Sequence, residues 1–209
     1  MANSLESEIL KHADIIKSSL LTTFSTPDDD NDQQNPANTR VPTLQKSEYL
    51  SPEHILTYMK DNRDKFTLMS LNLNSLNTKI SELRIFVEDL QSQNLGFTII
   101  AVQEARINAK TINQLNEYEI PGYKLETQLC QIDSQNGGLA FYIKYGYTGK
   151  PRKNLCKKSA LFESFFIEVS GPRIKNKKLT IGNIYRPGRN NKKLPPVQSF
   201  WPASSSVLH

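Results

Sequence analysis

Cysteine is scarce in this chain: Cys130 and Cys156 are the only two among 209 residues, and no Cys or His stands at metal-ligand spacing from either. A disulfide framework and a zinc site are therefore not expected, and the two residues read as free, buried or partly buried thiols. No apolar run is long enough to span a bilayer. The opening residues MANSLESEIL lack the basic-then-apolar pattern of a secretory signal. These absences set the expectation of an intracellular protein with no membrane partner. Hydrophobic residues make up only 37% of the chain, below the globular norm, so part of it is expected to stay unpacked.

Charge is present and unevenly placed. The net value is +5, but residues 1–60 hold five Lys/Arg against nine Asp/Glu, which leaves a +9 body behind an acidic leader. A basic body is compatible with a polyanionic partner such as nucleic acid. Lysine-rich surfaces also serve solubility alone, so charge by itself does not decide the matter.

Residues 1–24 read as an amphipathic helical leader, because Leu5, Ile9, Ile16 and Leu20 fall at helical spacing. Residues 25–50 open with STPDDDNDQQNPANTRVPT, rich in Pro and Asp and nearly free of apolar side chains, and read as a disordered linker. Ser51-Pro52-Glu53 supplies an N-cap, a proline at the first helical position and an acid in the first turn. Residues 51–65 thus read as a short helix and connector. The folded body begins near Phe66 with the strand-like FTLMSLNLNS. The stripe Ile80, Leu83, Val87 and Leu90 then predicts a helix, and FTIIAVQEA a buried strand. YKLETQL, GLAFYIKYGY, LFESFFIEVS and KLTIGNIYRP follow as further strands, with Asn136-Gly137 as a turn signal. One helix followed by several antiparallel-looking strands suits two packed sheets flanked by helices, an α+β arrangement.

Three polar residues sit at the ends of apolar strands: Asn72, Glu104 and Tyr185. Rigid strands present functional groups at such places. Glu104 follows Ile99–Val102 and Gln103, and a carboxylate there is costly to bury unless a cation meets it; Mg²⁺, which prefers oxygen ligands, would serve. Each residue also has a plainer reading: a surface glutamate, a turn asparagine, a tyrosine at the edge of the core.

Taken in order, LNLNSL, IIAVQEARI, NGGLAFYIK and IGNIYRPG resemble the endonuclease domain of non-LTR (LINE-like) retrotransposons, within the endonuclease/exonuclease/phosphatase superfamily. The resemblance covers residues 66–187. It implies the amino-terminal half of a four-layer αββα sandwich of the deoxyribonuclease I-like type, in a truncated domain at 66–188, with 189–209 an unrelated disordered tail. It implies Mg²⁺ as the cofactor, no small-molecule cofactor, DNA as the partner and a nuclear location for a functional protein. By the same resemblance Glu104 is the metal-binding glutamate, Asn72 helps hold the metal site and phosphate network, and the Tyr185 hydroxyl approaches the scissile phosphate. Gly137 and Gly138 match a structural glycine pair. Arg186 lies in the tyrosine segment without an assigned role.

The family continues with Gly-Asp-x-Asn and Ser-Asp-His segments, which supply its aspartate and its catalytic histidine. This chain has no Gly-Asp pair, and after His54 its only histidine is His209. The ancestral reaction would be Mg²⁺-dependent phosphodiester hydrolysis, nicking DNA for target-primed reverse transcription. With one carboxylate ligand and no base, the chain is expected to be inactive alone. Its apolar sheet faces are also expected to be left uncovered. The alternatives are a non-catalytic nucleic-acid-binding module and a phosphatase-branch member of the superfamily.

Overall fold

The computed structural model describes residues 19–24, 52–130, 137–159, 162–174 and 178–186. Helix α1 spans Pro52–Asp61. Strand β2 (Phe66–Asn72) follows, then helix α2 (Leu76–Ser92) and strand β3 (Ile99–Gln103). A 3₁₀ segment, Ile112–Tyr118, precedes β4 (Tyr123–Gln128) and β5 (Leu139–Lys144). The short β6 (Thr148–Pro151) and β7 (Lys157–Lys158) lead to β8 (Glu163–Ser170) and β9 (Leu179–Tyr185). A strand β1 (Ser19–Phe24) joins the first of two sheets.

That first sheet has the order β1-β2-β3-β5-β4. Strands β2 and β3 run parallel, which requires a crossover, and α2 is that crossover. Side-chain alternation sends Met69, Leu71, Ile100, Val102, Ala140 and Tyr142 to the helix side, where they pack against Ile80, Leu83, Phe86 and Leu90 of α2. The opposite parity, Phe66, Ile99, Ala101, Phe141 and Ile143, faces the second sheet. Helix α2 ends where Asn94 takes φ 57°, with Asn94 N–H donating to Gln91 O and Leu95 N–H to Leu90 O, both 2.9 Å. This paired closure satisfies carbonyls of the last turn and drops buried Leu95 back onto the helix.

The second sheet centres on β8, with β6 and β7 along one side and β9 along the other. Phe165, Ile167 and Val169 of β8 and Ile181 and Tyr185 of β9 point inward against the first sheet. Phe141 and Phe165 meet across the gap at a centroid distance of 5.4 Å. One polar group also crosses it. Asn183 is 2% exposed, and its amide donates to Val102 O (2.9 Å) and Ala140 O (3.3 Å) while accepting from Gln103 Nε2 (3.0 Å).

The architecture is therefore a mixed α/β arrangement of two stacked sheets with helices on the outer side of the first. Among the described residues no helix covers the outer side of the second sheet, so three of the four expected layers are seen. Two expectations need correction. Ser19–Thr22, assigned by spacing to the helical leader, belong to β1, paired antiparallel with β2 from Ser19↔Leu71 to Phe24↔Phe66. The run SLLTTF carries two β-branched threonines and a phenylalanine, and pairing along β2 outweighs a helix pattern of few apolar positions. Residues 1–18, the linker 25–50 and the tail 189–209 lie outside the described residues. The apolar inner faces, expected to be bare, cover each other: Phe141 and Ile167 are fully buried, and among the described side chains of β2 to β9 the large apolar residue left open is Ile184, on the outer side, at 47% exposure. Cys130 and Cys156 are free thiols.

Replacing Asn183 by alanine removes all three amide contacts and leaves two buried carbonyls without that donor. We expect urea denaturation of Asn183→Ala to show a loss of about 1–3 kcal/mol relative to the parent. An unchanged midpoint would mean that the amide does not tie the sheets.

Candidate functional site

Strands β2 and β3 are parallel, so their carboxyl ends lie side by side, with Asn72 opposite Gln103. Glu104 is the next residue along. Across the sandwich β9 ends at Tyr185, and the phenol lies beside the Glu104 carboxylate, whose charge acts on it. The Asn72 amide nitrogen donates to Glu104 Oε1 at 2.9 Å. Three residues separated by up to 113 positions, from both sheets, thus share one end of the fold.

The backbone there is unusual. Asn74, Ser75, Glu104 and Arg106 all adopt positive φ (54°, 144°, 52° and 55°), which non-glycine residues rarely take. Each costs about 1–3 kcal/mol and persists only where its surroundings over-determine it. Here the surroundings are a backbone lattice. Leu73 N–H donates to Gln103 O (3.2 Å) and Leu76 N–H to Ala105 O (3.1 Å), joining the two strand ends. Ala105 N–H donates to Gly138 O (2.9 Å) and Arg106 N–H to Gly137 O (3.0 Å). Gly138 N–H in turn donates to Glu163 Oε2 at 2.7 Å. Both glycines have positive φ, and a Cβ on Gly137 would sit 2.7 Å from Glu163 Oε1, so a side chain there would displace the carboxylate. The glycine pair is the link between Glu163 and the turn that presents Glu104.

Charge is arranged tightly. Arg106 Nη2 lies 3.5 Å from Glu104 Oε2 and also contacts Asn74 Oδ1. The Asn72 side-chain oxygen accepts from Asn74 N–H (3.1 Å), which orients the amide with its nitrogen towards Glu104. The Tyr185 phenol is pushed up to about 12, first by burial, then by the Glu104 charge and by Glu163, with Arg106 opposing. Glu163, 7% exposed, has its carboxyl raised by burial, against the Gly138 N–H and Lys158, which lower it.

The sequence-derived set Asn72, Glu104 and Tyr185 is brought together, and Arg186 follows directly after Tyr185. Four neighbours were not singled out from sequence: Asn74, Arg106, Glu163 and Asn183. Strand parity carries a signal for two of them. Asn183 shares the inward face of β9 with Ile181 and Tyr185, and Glu163 shares that of β8 with Phe165 and Ile167, so each is a polar residue at an inward position. Arg106 and Asn74 lie in turns, and their contacts depend on tertiary folding.

For Mg²⁺ the donor set is at its lower limit. Among the described residues no group of three or more His, Cys, Asp or Glu could hold a metal ion. Mg²⁺ is commonly held by one or two carboxylates together with substrate phosphate oxygens, and Glu104 supplies one carboxylate. Asn72 presents nitrogen to that carboxylate, so a ligand role for its oxygen would require the amide to turn over and leave Asn74 N–H.

No protein-family model matches the chain, and no curated protein matches it. Among solved structures it is similar to an AP endonuclease from Leishmania major, at 16% identity and a TM-score of 0.41, over 56% of this chain and 39% of that one. The chain thus spans well under half the length of that endonuclease.

Subtracting a Tyr185→Phe titration from that of the parent should isolate one phenol ionising near 12 rather than 10. In Glu104→Gln this transition should move down, since the neighbouring charge is gone, but not to 10, since burial remains. The sign for stability follows. The protonated phenol is favoured by the fold, so its contribution is full below pH 10 and is lost as pH rises through about 12. A Tyr185 transition that ignores Glu104→Gln would show that the two groups do not interact.

Proposed function

We propose that this chain carries the amino-terminal part of an endonuclease domain of the non-LTR retrotransposon kind, in which Glu104, Asn72 and Tyr185 face the phosphate of a nucleic-acid strand. The observation that carries this reading is the meeting of a carboxylate, an amide and a phenol from three strand ends in two sheets. The order of the segments LNLNSL, IIAVQEARI, NGGLAFYIK and IGNIYRPG supports it.

In this reading Glu104 is the residue that would hold Mg²⁺, and the bound ion would supply charge stabilisation at the phosphate. Asn72 orients the Glu104 carboxylate through its amide N–H. Tyr185, kept protonated to about pH 12, is an O–H donor at every physiological pH and can turn from Glu104 to a phosphate oxygen. Hydrolysis needs one function more, a group that accepts the proton of the attacking water. Among the described residues the site contains no histidine, and the sequence contains neither Gly-Asp-x-Asn nor Ser-Asp-His. We therefore propose that the 209-residue chain binds nucleic acid and does not cut it appreciably.

With Mg²⁺, purified protein should nick supercoiled plasmid no faster than a protein-free control, while a mobility shift of the same DNA weakens steeply with added salt. Nicking that disappears in Glu104→Ala would overturn the claim of inactivity. No shift at any salt concentration would overturn the claim of binding.

A further inference from the structure

Residues 150–158, KPRKNLCKK, hold five cations and no acid. They form β6, the loop after it and β7, so the topology decides where this charge goes. Arg152 is engaged by Glu168 at 2.7 Å and faces the outer side of the second sheet. Lys157 and Lys158, in β7, are both exposed, Lys157 opposite Ser164 on that outer side and Lys158 on the inner one. Register places Lys158 opposite Glu163, and Glu163 opposite Tyr185. Lys158, Glu163 and Tyr185 therefore form one row across three strands, and directly opposed residues project to the same face. Two strand spacings separate the ends of the row, about 10 Å from Lys158 to Tyr185 at the backbone.

The contacts agree with the register. Lys158 Nζ donates to Leu129 O at 2.6 Å, reaching across to the first sheet on the site side. The Gln128 amide donates to Lys157 O at 3.2 Å, which fixes the β7 backbone against the end of β4. Lys158 also acts electrostatically on Glu163 and Cys130, both of which line this end. An ammonium has three donors, and the Leu129 carbonyl takes one. Glu163, in the same row, is buried and turned to Gly138 N–H, which leaves the exposed Lys158 ammonium open to solvent.

We infer that Lys158 forms a phosphate-holding step beside Tyr185, gripping the backbone of a nucleic-acid strand next to the phosphate that Glu104 and Tyr185 address. The inference rests on the proposed function and adds the track along which the strand lies: from the Glu104–Tyr185 end of the sandwich outward over β7. It also explains an asymmetry within 150–158, where Arg152 is used internally and Lys158 at β7 is left facing solvent.

The test is the salt dependence of binding, measured by anisotropy of a labelled single-stranded oligonucleotide. Each lost phosphate contact reduces the slope of log affinity against log salt by about 0.7, so Lys158→Ala should lower it by about 0.7. Affinity at low salt should fall several-fold. Lys158→Arg, which keeps the charge, should restore slope and affinity. Lys65→Ala removes the same charge next to the start of β2, the end of that strand remote from Asn72, and should leave the slope unchanged. Thermal unfolding of each variant separates loss of binding from loss of fold. Equal losses from Lys158→Ala and Lys65→Ala, or no loss from Lys158→Ala while the parent binds, would overturn the lysine step and leave the proposed function standing. A parent chain that binds at no salt concentration would overturn the proposed function itself.

Discussion

Val102 and Ala140, on neighbouring strands of the first sheet, give their carbonyl oxygens to one amide, that of Asn183 in the second sheet. Apolar contacts such as Phe141 against Phe165 hold the sheets together, but they tolerate sliding more readily than hydrogen bonds do. A buried amide with three fixed partners does not, because any shift leaves polar groups unsatisfied in a low-dielectric interior. Asn183 stands two residues before Tyr185 on the same face of β9. Its grip on β3 and β5 therefore sets where the phenol ends relative to Glu104, and the geometry of the site follows from a constraint within the core.

A second constraint acts from the other side. Glu104 and Arg106 hold left-handed backbone conformations that their side chains disfavour, and the carbonyls of Gly137 and Gly138 lock the turn between them. Glu163 anchors that glycine pair through Gly138 N–H. The same β8 residue lies opposite Tyr185 on one neighbouring strand and Lys158 on the other. One buried carboxylate thus braces the turn of the first sheet and sits between the phenol and the lysine of the second. Its burial is offset by the N–H it accepts, which is how a carboxylate is tolerated at 7% exposure.

The electrostatic character of the site comes from this crowding. Two carboxylates raise the Tyr185 phenol, while Arg106 opposes them and meets Glu104 directly. The Tyr185 O–H and the Asn72 N–H stand around the Glu104 carboxylate, with Glu163 turned to Gly138 N–H and the Lys158 ammonium to the side. That distribution favours holding a polyanion, and nothing comparable to a water-activating imidazole accompanies it among the described residues.

The sequence by itself determined the elements and the chemistry-bearing residues whose signal is local. The Ile80–Leu83–Val87–Leu90 stripe marked α2, the run at Ile99–Val102 marked a strand buried on both faces, and the polar ends of apolar strands pointed to Asn72, Glu104 and Tyr185. Parity could also have marked Asn183 and Glu163, since an inward polar residue must find a partner. It could not have said which partner. The leader went the other way: helical spacing in residues 1–24 was too sparse to resist pairing, and Ser19–Phe24 became an edge strand because β2 offered a free row of backbone groups. Only the tertiary structure decided that Arg106, rather than a distant residue, meets Glu104, and that Lys158 shares a row with Tyr185. The reason is physical: periodicity reports which face a side chain takes, whereas register between strands and positive-φ turns fixes which faces meet, and both arise from hydrogen bonds between residues far apart in the chain.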